Sequence, residues 1–163
     1  MTRKYSNLQI ALHWVVVLLI VAQWWTADAI PRTHNPFLRP AMADLLQHKF
    51  HNYSGMTIGV LIALRVALRF LPRRARPPIT KGWRERAAEC VHWGLYAALA
   101  TQAFTGFIAS YLWAPAAGIH KAIWLVTLAL ISIHVLAAIW HIARRDHVLD
   151  RMLPFRGAPQ PPG

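Results

Sequence analysis

The chain alternates between long apolar stretches and short polar connections. Four stretches are apolar over roughly twenty residues or more, at 8–29, 51–71, 88–112 and 120–143. About twenty consecutive apolar residues are what a helix needs to cross the hydrocarbon core of a bilayer. The pattern therefore predicts an all-α integral membrane protein, a four-helix transmembrane bundle that forms a single domain over residues 1–153.

Polar and proline-containing segments separate the four predicted helices. They are the loop 30–50, the basic loop 72–87 and the short turn 113–119. Proline and glycine interrupt regular structure, so these segments predict connections. The tail 154–163 is rich in proline, and we expect it to be disordered.

The first apolar stretch has a second interpretation, as a secretory signal peptide. Two basic residues precede it, and Ala27-Asp28-Ala29 resembles a cleavage site. The apolar region of a signal peptide spans only about 7–15 residues, whereas this stretch is longer, contains His13 and ends in a tryptophan pair. Tryptophan is typical of membrane interfaces. We therefore interpret the segment as the first transmembrane helix.

Composition and charge placement refine this interpretation. The chain is 56% hydrophobic and 15% charged, and its net charge of +12 is also compatible with nucleic-acid binding. However, twelve of the eighteen Lys and Arg residues flank the predicted helices on the side of both termini and loop 72–87, and only four lie on the opposite side. The positive-inside rule then places both termini in the cytoplasm. We expect lipid rather than nucleic acid as the partner of this charge.

The number of cysteines limits the possible metal chemistry. Cys90 is the only cysteine in the chain. An intramolecular disulfide, a four-cysteine zinc site and a cysteine-ligated iron–sulfur cluster are therefore excluded.

Histidines within the apolar stretches carry the functional prediction, because ionisable residues inside a membrane are costly. Six of the nine histidines lie in or at the edge of predicted helices. His120 and His134 are fourteen residues apart on the last helix. That step is about 21 Å along the helix axis and about 40° short of four full turns. Both side chains thus project from nearly the same face, at opposite levels of the membrane.

The direction of each predicted helix pairs the histidines by depth. His51 and His120 share the outer level, while His13 and His134 share the inner level, and each pair comes from two helices. A lone histidine at a helix end is usually an interfacial or hydrogen-bonded residue, but two depth-matched pairs favour two haems held between helices. If histidine fills both axial positions of the iron, no site remains for oxygen, so the predicted chemistry is electron transfer.

The remaining histidines leave alternatives open. His92 competes as an inner ligand, or it faces a quinone or a haem propionate. His141 lies near the inner interface and is, with His92, our candidate for a quinone site. His48 lies one turn before the outer ligand of its helix and competes with it, whereas His34 and His147 lie in loops, where we expect solvent contact.

Small and basic residues on the second predicted helix extend the pattern. Gly55 and Gly59 follow His51 at intervals of one turn, and they either leave room for a porphyrin or pack against another helix. Arg65 and Arg69 fall at the inner end, where they either pair with haem propionates or extend to lipid headgroups. We favour propionate pairing for Arg65, which lies deeper.

Several short motifs follow one another in a specific order along the chain. They are Tyr5-Ser6-x-Leu8-Gln9-Ile10-x-x-His13-Trp14, His51-x-x-x-Gly55, Leu64-Arg65-x-x-Leu68-Arg69, His92-Trp93-x-x-Tyr96, Thr105-Gly106, His120-Lys121, His134, Arg145-Asp146 and Leu149-x-Arg151-Met152-Leu153-Pro154. Each motif alone is weak, but in this order they resemble the bacterial four-helix cytochrome b561 family over nearly the whole chain.

The resemblance implies two haem b groups ligated by His13, His51, His120 and His134, in agreement with the pairing by depth. It also implies a multi-pass protein of the bacterial inner membrane that exchanges electrons with ubiquinone near the inner haem. Some members oxidise superoxide on the periplasmic side, and others are haem subunits of a partner dehydrogenase. The connection 113–119 departs from the family, because superoxide-oxidising members have a longer segment over the outer haem.

Three functions are thus under comparison. The first is a superoxide:ubiquinone oxidoreductase. On its outer side four cations outnumber the two acids, Asp28 and Asp44, and these cations either steer a small anion inward or merely keep the loops soluble. The second is a membrane haem subunit that passes electrons between the quinone pool and a periplasmic redox partner or dehydrogenase. The third is a purely structural or lipid-binding bundle, which would have no visible absorbance.

Overall fold

The computed structural model describes residues 6–70 and 82–144, without the side chain of Arg84. Within these two ranges, helices are the only regular secondary structure. They are α1 (Asn7–Thr26), α2 (Ala29–Thr33), α3 (Met42–Phe70), α4 (Trp83–Tyr111) and α5 (Ala116–Ala143). The predicted all-α class is confirmed. The predicted disordered tail 154–163 and most of the basic loop lie outside the described residues.

Each long helix covers most of one predicted apolar stretch, but the ends differ: α1 ends at Thr26, three residues before its stretch ends, and the other three begin before theirs. α3 begins at Met42, within the segment predicted as a polar loop, and the same segment also contains α2. α4 and α5 likewise begin several residues before their apolar stretches, at Trp83 and Ala116. Hydropathy marks the part of a helix that suits lipid, whereas backbone hydrogen bonding continues into the polar ends.

The start of α1 is determined by local hydrogen bonds. Ser6 Oγ accepts a hydrogen bond from the Gln9 amide, and Gln9 Oε1 accepts one from the Ser6 amide, both at 3.3 Å. This reciprocal capping box satisfies two amides at the first turn of the helix. It fixes where α1 begins, and therefore the height at which His13 lies along it.

The long helices pack as a series, α1 against α3, α3 against α4 and α4 against α5, with α2 against α3. Val16 of α1, Ile58 and Ile62 of α3 and Leu99 of α4 form the buried core between the first three of these helices. α1 and α5 stand at the two ends of the series, and among the described residues they pack against each other far less closely than neighbouring helices do. The gap between α1 and α5 positions part of the site described below.

Three of the helices, α1, α3 and α5, are long and apolar enough to cross a membrane. Their large apolar side chains point outward, and Leu18, Trp24 and Leu125 are 68%, 68% and 67% exposed. An outward-facing apolar surface of this kind suits lipid rather than water.

α4 is as long as α3, but unlike α3 it has, over its described residues, no stretch apolar enough to qualify as a membrane span by composition. Its position between α3 and α5 explains the difference, because small and polar residues are favoured where helices meet inside a membrane. At Gly59 of α3, for example, an added Cβ would lie only 2.9 Å from Cβ of Ala103 on α4. The fourth predicted span is therefore a helix, but its composition reflects contact with other helices more than contact with lipid.

Candidate functional site

Three half-buried histidines from three helices meet at one end of the molecule, which we call the inner level. The ring centroids of His13 on α1 and His134 on α5 are 6.2 Å apart. His92 on α4 is closer still to His134, at 5.3 Å. The structure thus brings together the predicted pair and its predicted competitor, with His134 common to both arrangements.

Two arginines of α3 lie at this level. Arg65 is half-buried, donates a hydrogen bond to the Gln9 backbone oxygen at 3.3 Å and lies 6.0 Å from the ring centroid of Tyr96. It is also within electrostatic range of the three inner histidines. Arg69 instead forms an ion pair with Glu89 at 3.2 Å. Arg65 is therefore the arginine within range of all three inner histidines, whereas Arg69 is within electrostatic range of His92.

The second group of histidines, at the outer level, consists of His51 on α3 and His120 on α5. The two rings lie within electrostatic range of each other. Thr26 Oγ1 of α1 lies 3.2 Å from Nδ1 of His51. Gln23 of α1 donates hydrogen bonds to the His51 backbone oxygen at 2.7 Å and to Ser54 Oγ at 2.6 Å. The end of α1 thereby fixes this turn of α3.

His120 is held against α4 rather than α1. Its Nδ1 lies 3.0 Å from the Gln102 backbone oxygen, and its Nε2 lies 3.1 Å from the Gln102 side-chain nitrogen. The ring packs on Gly106, where an added Cβ would be 3.0 Å from Cε1 of the imidazole. A glycine at this position therefore leaves the space that the ring occupies.

The hydrogen bonds at the outer level determine which ring nitrogen carries the proton. A carbonyl oxygen only accepts, so Nδ1 of His120 is the donor to Gln102 and Nε2 keeps its lone pair. Thr26 Oγ1 donates its own proton to the Ala22 backbone oxygen at 2.7 Å, so it accepts from Nδ1 of His51. Both outer imidazoles thus present Nε2 as the acceptor, the form in which histidine ligates a metal.

The space between helices differs between the possible ligand pairs. α4 and α5 pack closely near His92, where an added Cβ at Gly94 would be 3.4 Å from the Leu130 side chain. α1 and α5 instead flank an open apolar groove of about 190 Å³ between the two histidine levels. Its lining residues are Ile20, Val21, Trp24, Trp124, Leu128 and Ile131. An apolar planar group would be accommodated more readily between α1 and α5 than between α4 and α5.

The donor set also fits a haem. Among the described residues, no group of three or more His, Cys, Asp and Glu side chains is arranged to hold a metal ion alone. A haem brings four of its own nitrogen ligands and needs only paired imidazoles from the protein. The buried Gln102 Oε1 has no hydrogen-bond partner among the described residues, so the polar groups around His120 are not satisfied by the protein alone.

Of the other predicted site residues, Gly55 lies beside the outer group. Gly55 faces the Gln23 side chain, with an added Cβ 3.6 Å from its amide. His141 lies in the last turn of α5. His48 is oriented toward α2, with Nδ1 2.7 Å from Thr33 Oγ1. His147 lies outside the described residues.

The polar residues that hold the outer histidines were not predicted from the sequence as site residues. They are Gln23, Thr26, Gln102 and Thr105, of which Thr105 Oγ1 lies 3.3 Å from Nδ1 of His120. Their position in the sequence could have indicated a role at the site, since each is a polar residue within an apolar stretch. Which histidine each one contacts depends on the rotation of the helices, which sequence spacing alone does not give.

Largely apolar helices bring half-buried histidines together at two levels, and each level combines histidines from different helices. This arrangement is typical of helical membrane proteins that bind haem. The chain belongs to the prokaryotic cytochrome b561 family, whose sequence pattern matches residues 4–155. The resemblance inferred from the motifs is thereby confirmed. Membership implies haem b and a membrane protein that transfers electrons.

Similarity to a curated protein is more limited in extent. The chain is 32% identical over 82 residues to a probable superoxide oxidase CybB of Yersinia pestis. This match covers 48% of the chain and 40% of that relative's length. The similarity therefore supports a b-type membrane electron-transfer protein, and leaves substrates and electron direction to be proposed.

Proposed function

We propose that this protein is a two-haem superoxide:ubiquinone oxidoreductase of the bacterial inner membrane. In this proposal the protein crosses the membrane as a four-helix bundle with both termini in the cytoplasm. It accepts electrons from superoxide at its periplasmic face and delivers them to ubiquinone near its cytoplasmic face. The observation that carries the proposal is the presence of two histidine groups, one at each level, that share α5.

The proposed axial ligands are His13 and His134 at the inner level and His51 and His120 at the outer level. His92 is nearer to His134 than His13 is, but the close packing of α4 on α5 leaves little room between them. α1 and α5, which carry His13 and His134, are instead separated by the open apolar groove that begins two turns along α1 from His13. Packing therefore favours His13 over His92 as the partner of His134.

Haem supplies a one-electron redox centre at each level when bound. The protein residues would position it, since Thr26 Oγ1 holds Nδ1 of His51 and the Gln102 backbone oxygen holds Nδ1 of His120. Nε2 of His120 accepts from the Gln102 side-chain nitrogen at 3.1 Å, and a haem iron would replace that donor. At the inner level, Arg65 places a half-buried positive charge that would pair with a haem propionate. Gly55 is proposed to lie beside the outer group.

Ubiquinone is proposed to bind at the inner level, near His92 and His141. His92 is half-buried beside His134 without being one of the proposed ligands, so its imidazole is available to hydrogen-bond a quinone oxygen. Two redox centres in one chain match the two electrons that a quinone accepts, whereas superoxide delivers one electron at a time.

The outer surface has a charge distribution that suits an anionic substrate. Arg32 is paired with Asp44 at 2.8 Å, and Arg39, Lys49 and Lys121 are exposed. A surface with an excess of cations raises the encounter rate of a small anion, and this effect weakens as salt is added. A superoxide reaction that depends on these cations would therefore slow with ionic strength.

A second function, that of a membrane haem subunit for a periplasmic redox partner or dehydrogenase, is favoured by the short connection between α4 and α5. Only residues 112–115 join these helices, so little chain covers the outer level. Phe37 and Trp113 are 92% and 56% exposed on the same side. Exposed aromatic residues of this kind suit a protein partner. Co-purification of a dehydrogenase or cytochrome would favour this alternative.

The experiment that tests the proposal measures haem content and superoxide reactivity of the same preparation. The purified protein should show a reduced b-type α band and two haems per chain. His13→Ala and His134→Ala should each remove the same haem, and His51→Ala and His120→Ala the other. His92→Ala should retain both haems, and loss of the inner haem in that variant would assign His92 as the ligand instead.

Superoxide generated by a radiolytic pulse should then reduce the wild-type protein and, when ubiquinone is supplied, form ubiquinol. A rate no higher than that of the uncatalysed reaction would eliminate the superoxide function and leave the haem-subunit function. Absence of any b-type α band would eliminate both and favour the structural or lipid-binding bundle.

A further inference from the structure

A second pair of histidines lies at the outer surface, apart from the proposed haem ligands. The ring centroids of His34, at the end of α2, and His48, on α3, are 4.9 Å apart with an interplanar angle of 46°. His34 is exposed and His48 is half-buried. His48 lies on the polar part of α3 that precedes its apolar stretch, one turn before His51, and His34 faces it from the end of α2.

Each ring of this pair has an oxygen partner beside its Nδ1. Nδ1 of His34 lies 2.9 Å from the Ile30 backbone oxygen, which only accepts, so this nitrogen is the donor. Thr33 Oγ1 lies 2.9 Å from the same carbonyl and 2.7 Å from Nδ1 of His48. Each ring therefore directs Nδ1 at an oxygen of α2, which leaves Nε2 as the ring nitrogen for a metal.

This arrangement is the one that histidine adopts as a metal ligand. A ligating imidazole typically donates its second ring nitrogen to a carbonyl, carboxylate or other oxygen, which fixes the tautomer and the ring orientation. Here two adjacent rings each have such a partner before any metal is present. Neighbouring neutral imidazoles suit borderline divalent cations such as Cu²⁺ and Zn²⁺ more than Mg²⁺ or Ca²⁺.

We propose that His34 and His48 form a surface site for a divalent transition metal, with Cu²⁺ bound more tightly than Zn²⁺. Among the described residues, no third His, Cys, Asp or Glu side chain completes a cluster with this pair. Water therefore fills the remaining coordination positions. The bound metal ties α2 to α3 directly in front of the outer haem level.

The test titrates metal into the haem-loaded, full-length protein in detergent, after removal of any polyhistidine tag. Calorimetry with ZnCl₂ and electron paramagnetic resonance with CuCl₂ should each detect one site per chain, and the Cu²⁺ spectrum should show coupling to two nitrogens. His34→Gln and His48→Gln should each weaken binding at least tenfold. Thr33→Val, which removes only the oxygen beside Nδ1 of His48, should weaken it roughly 10- to 100-fold.

His147→Gln is the matched control, since it removes one histidine from the proposed cytoplasmic side and should leave the titration unchanged. The visible haem spectrum of each variant reports whether it has folded. Two results would overturn the proposal: wild-type protein that binds no Cu²⁺ at micromolar concentration, or a site that persists in the His34→Gln/His48→Gln double variant.

Discussion

Gly106 on α4 leaves room for the imidazole of His120, and a Gly106→Ala substitution measures how much that room matters. The alanine Cβ would lie 3.0 Å from Cε1 and 3.3 Å from Nδ1 of His120. Carbon atoms in contact prefer about 3.5–4.0 Å, so the ring would have to retreat from α4 by roughly 0.5 Å or more. The retreat would lengthen the 3.0 Å hydrogen bond to the Gln102 backbone oxygen.

The size of the expected effect follows from these contacts. Overpacking of this kind costs about 1–3 kcal/mol, which corresponds to roughly a 5- to 150-fold change in an equilibrium constant. We expect Gly106→Ala to weaken retention of the outer haem by a factor in that range. The inner haem, held at the other end of α5, should be retained as in the wild type.

The assay compares haem content per chain and the rate at which haem is lost to an excess of a haem-scavenging protein. Gly118→Ala is a matched control, because nothing lies within 4 Å of an added Cβ at that position. Wild-type haem content and loss rate in Gly106→Ala would refute the proposed steric role of this glycine. Equal loss of both haems would show that the substitution acts on the whole fold instead.

Three further substitutions test other contacts. Thr26→Val removes the acceptor of the His51 Nδ1 proton and should weaken retention of the outer haem roughly 10- to 100-fold. The control Thr57→Val removes an exposed hydroxyl and should leave haem retention unchanged. Equal retention in both variants would contradict the assigned hydrogen bond. Gly59→Ala should lower the thermal unfolding temperature, because of the 2.9 Å approach to Ala103, while haem content per folded chain stays constant. Arg65→Gln should lower the midpoint potential of the inner haem alone, because a nearby cation favours the reduced form of the haem. A potentiometric titration measures both potentials, and equal shifts of the two haems would contradict a local effect of Arg65.

The four long helices could be predicted from the sequence because apolar stretches of the length of a membrane span are a strong signal. Their ends could not, because the polar beginning of α3 at Met42 continues the backbone hydrogen bonding of the helix without being apolar. α2 is a helix of five residues, which is too short for any periodic pattern. Hydropathy marks the part of a helix that matches the width of the hydrocarbon core. It does not show how far the helix continues beyond that part.

The depth of each histidine followed from its position along a helix, and the structure places His13 beside His134 as that depth requires. The third inner histidine, His92, was identified as a competitor, but its 5.3 Å approach to His134 depends on α4 lying next to α5. The partners of the outer histidines, Thr26 and Gln102, depend on how each helix is rotated about its own axis. Axial position is encoded locally by residue number, whereas rotation and neighbour choice result from packing of the whole molecule.

α5 contributes one histidine to each level, and this has a consequence for how the chain tolerates insertions and deletions. Thirteen residues separate His120 from His134 on a single uninterrupted helix. One inserted residue would turn His134 by about 100° relative to His120 and lengthen the separation by only about 1.5 Å. The angular register along α5 is therefore far less forgiving than its length. Loops can change in length without disturbing either level, but the number of residues between the two histidines of α5 must stay the same for both imidazoles to face the interior.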